Sequence, residues 1–401
     1  MTTALLARLR LYRETLARFT LALAAMVLSV LHVAAVVMPA AEPASIKEAL
    51  QPFVDRQTLA GAVALVADKD KVLRVETVGC ADVAAKEPMA ADSLFWIASQ
   101  SKSLTSTALM MLVDEGKVSI DDPVEKYLPE FKGQMVVAEQ DAEHVLLKKA
   151  ARPITVRDVM SHTSGLPFAT KIEPHVDLHP LSQAVTAYAF TPLKSQPGAK
   201  YDYSNAGINV GGRIIEVVSG LAYEDFMEQR LFKPLGMKDT TLRPSPRQLE
   251  RLAKCYKPNA ARTGLDETPI NQLTYPLSDR KRGPSPAGGY FSTAADVGVF
   301  CRMLLAGGVH EGKRHLSESA IQTMTAKQTG SLPALYGLGW AVGKQAGDAF
   351  GHGGACATQM SIDPPKGLVI VFMVQHQGFG GDGGKSYPAF KQAAEKLYGK
   401  K

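Results

Sequence analysis

The sequence predicts an α/β fold of the α+β kind, a mainly antiparallel sheet flanked by helices with an inserted, mostly helical lobe. Three observations predict it. Strand-like apolar runs stand near both ends of the chain, at 61–66, 72–78 and 355–374. Amphipathic helical segments accompany them, at 46–56 and 387–398. The middle, about 117–285, carries helical patterns broken by proline-rich loops. Two ends that supply strands and a middle that supplies helices build a sheet layer with a helical insertion.

Taken in order, the chain begins with Arg8, Arg10, Arg13 and Arg18, and then runs uncharged and mostly Leu, Ala, Val and Met from 19 to 41. An arginine flank, an apolar stretch and Pro39-Ala40-Ala41 read as a signal peptide. The stretch is also long enough to span a bilayer, where ~20 apolar residues suffice, so an uncleaved anchor is the alternative. Both place the remainder outside the cytoplasm, periplasmic or secreted. From about 45 the folded domain follows. Its sheet lobe is expected from about 45–116 and 286–401, and its helical lobe from about 117–285. The strand-like run 93–98, just before Ser99, is expected to join the main sheet. Within the helical lobe, 185–188, 208–218 and 222–231 read as helices, and the charged, alternating 138–151 as a hairpin.

Charge and cysteines narrow the function. The net charge is +6, but half of it comes from the arginine-rich first forty residues. The rest mixes signs and is too little to argue for nucleic acid, so no nucleic-acid partner is expected. Four cysteines, Cys80, Cys255, Cys301 and Cys356, are scattered without zinc or redox spacing. They read as buried thiols, Cys301 in a helix and Cys356 in a strand, with disulfides as the alternative. His175-Val176-Asp177-Leu178-His179 has ligand-like spacing, yet Pro174 and Pro180 bracket it, so no metal is expected.

The chemistry concentrates at Ser99-Gln100-Ser101-Lys102, where the 93–98 run meets a helical pattern from 101 to 115. A helix start offers free N–H groups and a positive dipole end. Lys102, one turn on, faces the same side as Ser99. A serine needs a base to take its proton, and a desolvated lysine supplies one. The tetrapeptide alone is weak: about one Ser-x-x-Lys arises by chance in such a chain. Ser99 also fits an ordinary helix cap. A second match, Ser278-Asp279-Arg280-Lys281, lies in a basic, proline-rich loop without a helix start.

Context decides for Ser99. Tyr203-Ser204-Asn205 follows downstream, and Gly351-His352-Gly353-Gly354-Ala355 precedes the apolar run at 368–374. With His162-Thr163-Ser164-Gly165-Leu166, Pro286-Ala287-Gly288-Gly289 and Tyr336-Gly337-Leu338-Gly339-Trp340, these segments resemble the penicillin-binding serine hydrolases, in their class C β-lactamase-like and esterase branch. The resemblance runs from about 45 to the C-terminus and implies the β-lactamase/transpeptidase-like fold. It implies Ser99 as nucleophile, Lys102 and Tyr203 as the proton relay, and Asn205 as the group that orients Lys102 and binds a substrate carbonyl. Backbone N–H groups of Ser99 and Ala355 would form the oxyanion hole, with Gly353 and Gly354 leaving room for substrate along a strand edge. A depressed pKa, imposed by the Lys102 cation, would let Tyr203 act as a base.

One departure matters. The family's Lys-Thr-Gly is here His352-Gly353-Gly354, and an unperturbed histidine is mostly neutral at pH 7. A weaker hold on a substrate carboxylate favours esters or small amides over β-lactams and D-Ala-D-Ala peptides, with a shift back as pH falls through the histidine range. The reading is an acyl-enzyme serine hydrolase with no metal or organic cofactor. A β-lactamase or D-Ala-D-Ala carboxypeptidase is the nearest alternative, and a catalytically silent penicillin-binding or cell-wall sensor module the alternative of another class. No Gly-x-Ser-x-Gly elbow is present, and His162 reads as a structural tie to the helical lobe rather than the base of a Ser-His pair.

Overall fold

The computed structural model describes residues 43–170 and 177–400. The predicted signal or anchor at 1–41, with any membrane association through 19–41, lies outside the described residues. So do His175 and Val176 of the ligand-like spacing. Ala44–Lys401 forms one compact unit.

A six-stranded antiparallel sheet is its backbone. The strands are β1 (Gly61–Ala67), β2 (Val72–Asp82), β3 (Glu87–Pro88), β4 (Phe350–Gly353), β5 (Gln359–Asp363) and β6 (Leu368–Met373). They lie in the order β4-β5-β6-β1-β2-β3, so the two ends of the chain meet at β1 and β6. There Val63 opposes Met373 and Leu65 opposes Val371. All seven residues of β1 and all six of β6 are buried. Both strands are covered on both faces, which is why they read as continuous apolar runs rather than alternating ones.

Alternate residues feed two cores. Ala62, Ala64 and Val66 pack with Ile370, Phe372 and two helices, α1 (Ile46–Asp55) through Leu50 and Phe53, and α5 (Ser386–Tyr398) through Phe390. Ser45 caps α1, accepting from the Glu48 N–H at 3.1 Å. The terminal helix thus packs beside the first, as the sequence predicts. On the other face Val63, Leu65 and Val371 join α4 (Ala294–Leu305) and the helical insertion in one continuous core. Two further helices cross that core, α2 (Ser101–Asp114) and α3 (Asn205–Ser219). α2 is buried almost all round, Ser101 through Leu112, instead of presenting a single apolar face. Its hydroxyls are satisfied: Ser103 donates to Gly339 O at 2.9 Å and Thr105 to Pro286 O at 2.7 Å.

Other expectations meet mixed outcomes. Residues 135–149 form the hairpin, Met135–Gln140 with Val145–Lys149. The run before Ser99 departs from expectation: only Phe95–Trp96 is a strand, and it pairs with Phe291–Ser292 outside the main sheet. Cys356 lies in a turn after β4, not in a strand. Asp177 holds no ligand-like position; it is buried against Arg282 and accepts from Thr274 Oγ1 at 2.9 Å. Arg282 also donates to the carbonyls of Leu242 and Leu277, at 3.1 and 2.7 Å. This pair ties residue 177 to the 274–283 loop. Asp177→Ala would strand a buried guanidinium and is expected to cost about 3–5 kcal/mol in denaturant unfolding; a loss below about 1 kcal/mol would show the pair to be dispensable.

Candidate active site

Ser99 stands in a sharp turn. Phe95–Trp96 enters it, a single 3₁₀ turn at Ala98–Gln100 crosses it, and α2 leaves it. Ala98 takes φ +45°, a left-handed conformation costly for a residue with a Cβ and found where surroundings enforce it. Here the Ile97 N–H is held by Tyr290 O at 3.0 Å, and Ser101 Oγ donates to Ala98 O at 2.6 Å. Ser99 is partly exposed while its neighbours Ala98 and Gln100 are buried. It caps nothing: the residue before α2 is Gln100, and no side chain caps that helix. The hydroxyl is spare for chemistry, against the helix-cap alternative.

Lys102 is fully buried. Its Nζ lies 3.1 Å from Ser99 Oγ, 2.8 Å from Asn205 Oδ1 and 2.7 Å from Ala287 O. None of these partners is anionic, and burial drives the ammonium well below the usual lysine range. A neutral amine has two N–H donors and one lone pair. As placed, Nζ donates to all three oxygens; the neutral form would keep Asn205 and Ala287 as acceptors of its two protons and turn its lone pair to the Ser99 hydroxyl proton. Asn205, the first residue of α3, thus orients Lys102.

Tyr203, expected to complete a proton relay, differs from expectation. Lys102 Nζ sits over its ring, 4.8 Å from the centroid. Burial raises its pKa well above the usual tyrosine range, and the hydrogen bond with Ser99 only partly offsets this. The expected depression is absent because burial penalises the phenolate, and the charge of the neighbouring Tyr201 adds to that penalty. Tyr203 at rest is a proton donor, not a phenolate base. His162 packs against its ring at 4.4 Å, between centroids, and accepts the Ser204 N–H at 3.1 Å. It is the structural tie the sequence suggests.

His352 lies on the edge strand β4, facing this cluster 6.3 Å from the Tyr203 ring, centroid to centroid. Its Nδ1–H donates to Gly353 O at 2.7 Å, and its Nε2 accepts the Tyr336 hydroxyl at 2.9 Å. Burial, with the nearby Lys102, lowers its pKa to about 4. Both nitrogens are engaged and the ring is neutral, so the expected switch within the ordinary histidine range does not hold. Gly354 is small for another reason than the one expected. A Cβ there would lie 2.6 Å from Ile97 O and 2.2 Å from Thr358 Oγ1, so the backbone behind Ser99 requires glycine. At Gly353 a Cβ would meet only the mobile end of Gln359. Ala355 is exposed, and among the described residues its N–H has no hydrogen-bond partner.

Sequence reasoning missed Tyr336 as the partner of His352, though it noted the segment that carries it. Tyr201, Tyr203, Tyr336 and His162 form an aromatic wall with centroid separations of 4.4 to 6.4 Å. That wall is part of what desolvates Lys102. By contrast, Ser278 and Lys281 sit in a turn with no helix between them. No cluster of His, Cys, Asp or Glu able to hold a metal occurs among the described residues.

The chain is similar to known proteins. The chain is 30% identical over 370 residues to Protein Rv1367c of Mycobacterium tuberculosis, covering 83% of this chain and 89% of that one. Identity is 31% over 294 residues with Penicillin-binding protein 4 of Amycolatopsis lactamdurans, 70% and 72% of the two chains. Among solved structures, EstCE1, a hydrolase with promiscuous acyltransferase activity, superposes with a TM-score of 0.72 at 22% identity, over 87% of this chain and 97% of its own. Residues 46–395, from α1 into α5 and including every element that builds the Ser99 site, match the Beta-lactamase family, and the chain belongs to it.

Proposed function

We propose that the protein is a serine hydrolase that forms an acyl-enzyme on Ser99 and hydrolyses esters or small amides. The observation that carries this is the fully buried Lys102, with its Nζ 3.1 Å from Ser99 Oγ and its pKa pushed well below the usual lysine range by burial. As Oγ attacks the acyl carbon, Lys102 takes its proton and the new C–O bond forms. The N–H groups of Ser99 and Ala355 receive the developing oxyanion. Tyr203, protonated and bonded to Ser99, passes a proton to the leaving group as its bond breaks, and the Lys102 ammonium returns the Ser99 proton to Tyr203. Water then hydrolyses the ester on Ser99 through the same groups, with no cofactor.

Substrate class follows from charge. His352 is neutral above about pH 4, burial disfavours the Lys102 ammonium, and the surrounding wall is aromatic. This supports neutral acyl groups. The second reading is a β-lactamase or D-Ala-D-Ala carboxypeptidase; the Amycolatopsis relative is named for binding penicillin, and a Salmonella typhimurium relative, 27% identical over 310 residues, is named a putative D-alanyl-D-alanine carboxypeptidase. Turnover of p-nitrophenyl esters, nitrocefin and a D-Ala-D-Ala peptide separates them: ester hydrolysis should exceed the other two by at least about tenfold. Comparable or faster nitrocefin or peptide hydrolysis would overturn the ester reading. The ratio of ester to nitrocefin turnover should also stay flat between about pH 5.5 and 8, because His352 protonates only near 4. A ratio that moves around pH 6 to 7 would show that His352 is less shielded than its contacts require. The sequence of residues 1–41 supports action outside the cytoplasm, secreted or anchored.

A further inference from the structure

Two buried thiols outside the relay lie together. Cys255 Sγ and Cys356 Sγ are 3.8 Å apart, although 101 positions separate them in the chain. Of the pairings that four cysteines allow, the fold brings this one within reach. Backbone ties hold both residues against one segment: the His376 N–H donates to Cys356 O at 3.0 Å, and the Tyr256 N–H, next to Cys255, donates to Gln375 O at 2.9 Å. A disulfide needs a sulfur separation of about 2.05 Å, so the two sulfurs have to move together before the bond forms.

We propose that Cys255 and Cys356 are an oxidation site whose disulfide clamps the turn carrying Ala355. Access comes from one side. Cys255, 4% exposed, lines a surface cavity of about 460 Å³ with Lys254, Glu267, Ile270 and Tyr275, a lining that Cys356, 1% exposed, does not share. Hydrogen bonding from Cys356 pulls the Cys255 thiol below the usual cysteine range, and the same bond together with burial pushes Cys356 up. Cys255 is therefore the attacking thiol and Cys356 the resolving one.

The oxidant is a low-molecular-weight disulfide. The Cys255 thiolate, its proton lost to solvent, attacks one sulfur, forms a mixed disulfide and expels one thiolate. Cys356 then attacks the Cys255 sulfur, loses its proton to the departing thiolate, and releases the second thiol. The protein gives up two electrons and two protons, and the oxidant becomes two thiols. The product ties Cys356, directly after Ala355, to the strand that starts at Tyr256. This rests on sulfur geometry and stands whether or not Ser99 is a nucleophile.

The test treats the full-length, folded protein with oxidised glutathione, then alkylates it under denaturing conditions and maps the peptides. The expected result is a loss of two alkylatable thiols, one peptide pair joined through Cys255 and Cys356, and a melting temperature higher by on the order of 5 °C that dithiothreitol reverses. Cys80→Ala should form the same cross-link, and Cys255→Ser should not. The wild-type map needs no variant, so a folding defect in either variant leaves the test standing. Four free thiols after excess oxidant, or a linkage through Cys80 or Cys301, would overturn the pair. An unchanged melting temperature with the bond formed would overturn the clamp.

Discussion

Ser99→Ala is expected to lower ester turnover on the order of 10⁴-fold or more while the protein stays folded. The side chain makes no helix cap, and its hydrogen bonds go to the relay, to Lys102 and Tyr203. Removing a partly exposed hydroxyl should cost about 1 kcal/mol or less in denaturant unfolding. Steady-state hydrolysis of a p-nitrophenyl ester and a urea melt measure the two sides. Ser278→Ala is the matched control, because the second Ser-x-x-Lys lies in a turn where the lysine cannot reach the serine as a helix neighbour. Equal losses at both serines would remove Ser99 from its role.

Lys102→Met and Tyr203→Phe should each reduce the rate by about 10²–10⁴-fold, the range of positioned proton-transfer groups. The double variant should be little worse than the worse single one, since both act on one proton path. Multiplying losses in the double variant would mean two independent paths. The pH dependence carries a sign. Lys102 protonates only when pH falls through its lowered pKa, so activity is lost on the acid side of that value and kept above it. Unfolded, the same lysine titrates near its ordinary 10.5. Between the two values the unfolded chain holds the extra proton, so this group makes stability rise with pH across that window. The slope of unfolding free energy against pH should therefore be shallower in Lys102→Met.

Much of this was legible in residues. β1 and β6 read as strands because both faces of each are buried, and the i, i+3 spacing alone placed Lys102 beside Ser99. Tyr203 and Asn205 came from a resemblance, and the fold brings both to Lys102. What the sequence could not show is burial and long-range pairing. The expected depression of the Tyr203 pKa followed from the Lys102 charge alone, yet burial of the phenol outweighs it. His352 was read by its ordinary titration because its partner, Tyr336, is 16 residues away. Phe95–Trp96 was drawn into the main sheet since a short apolar run does not name its neighbour, which is Phe291–Ser292. Cys255 and Cys356 meet only because Tyr256 pairs beside His376.

Covalent labelling of the nucleophile tests the central claim most directly. Incubating the full-length protein with a fluorophosphonate and mapping the adduct by mass spectrometry should give one modification, on Ser99. That adduct should form more slowly in Lys102→Met by about 10²–10⁴-fold. Labelling at another serine, or no labelling of a folded protein that still retains a β-lactam, would contradict the account, and the latter result would make the chain a silent binding module.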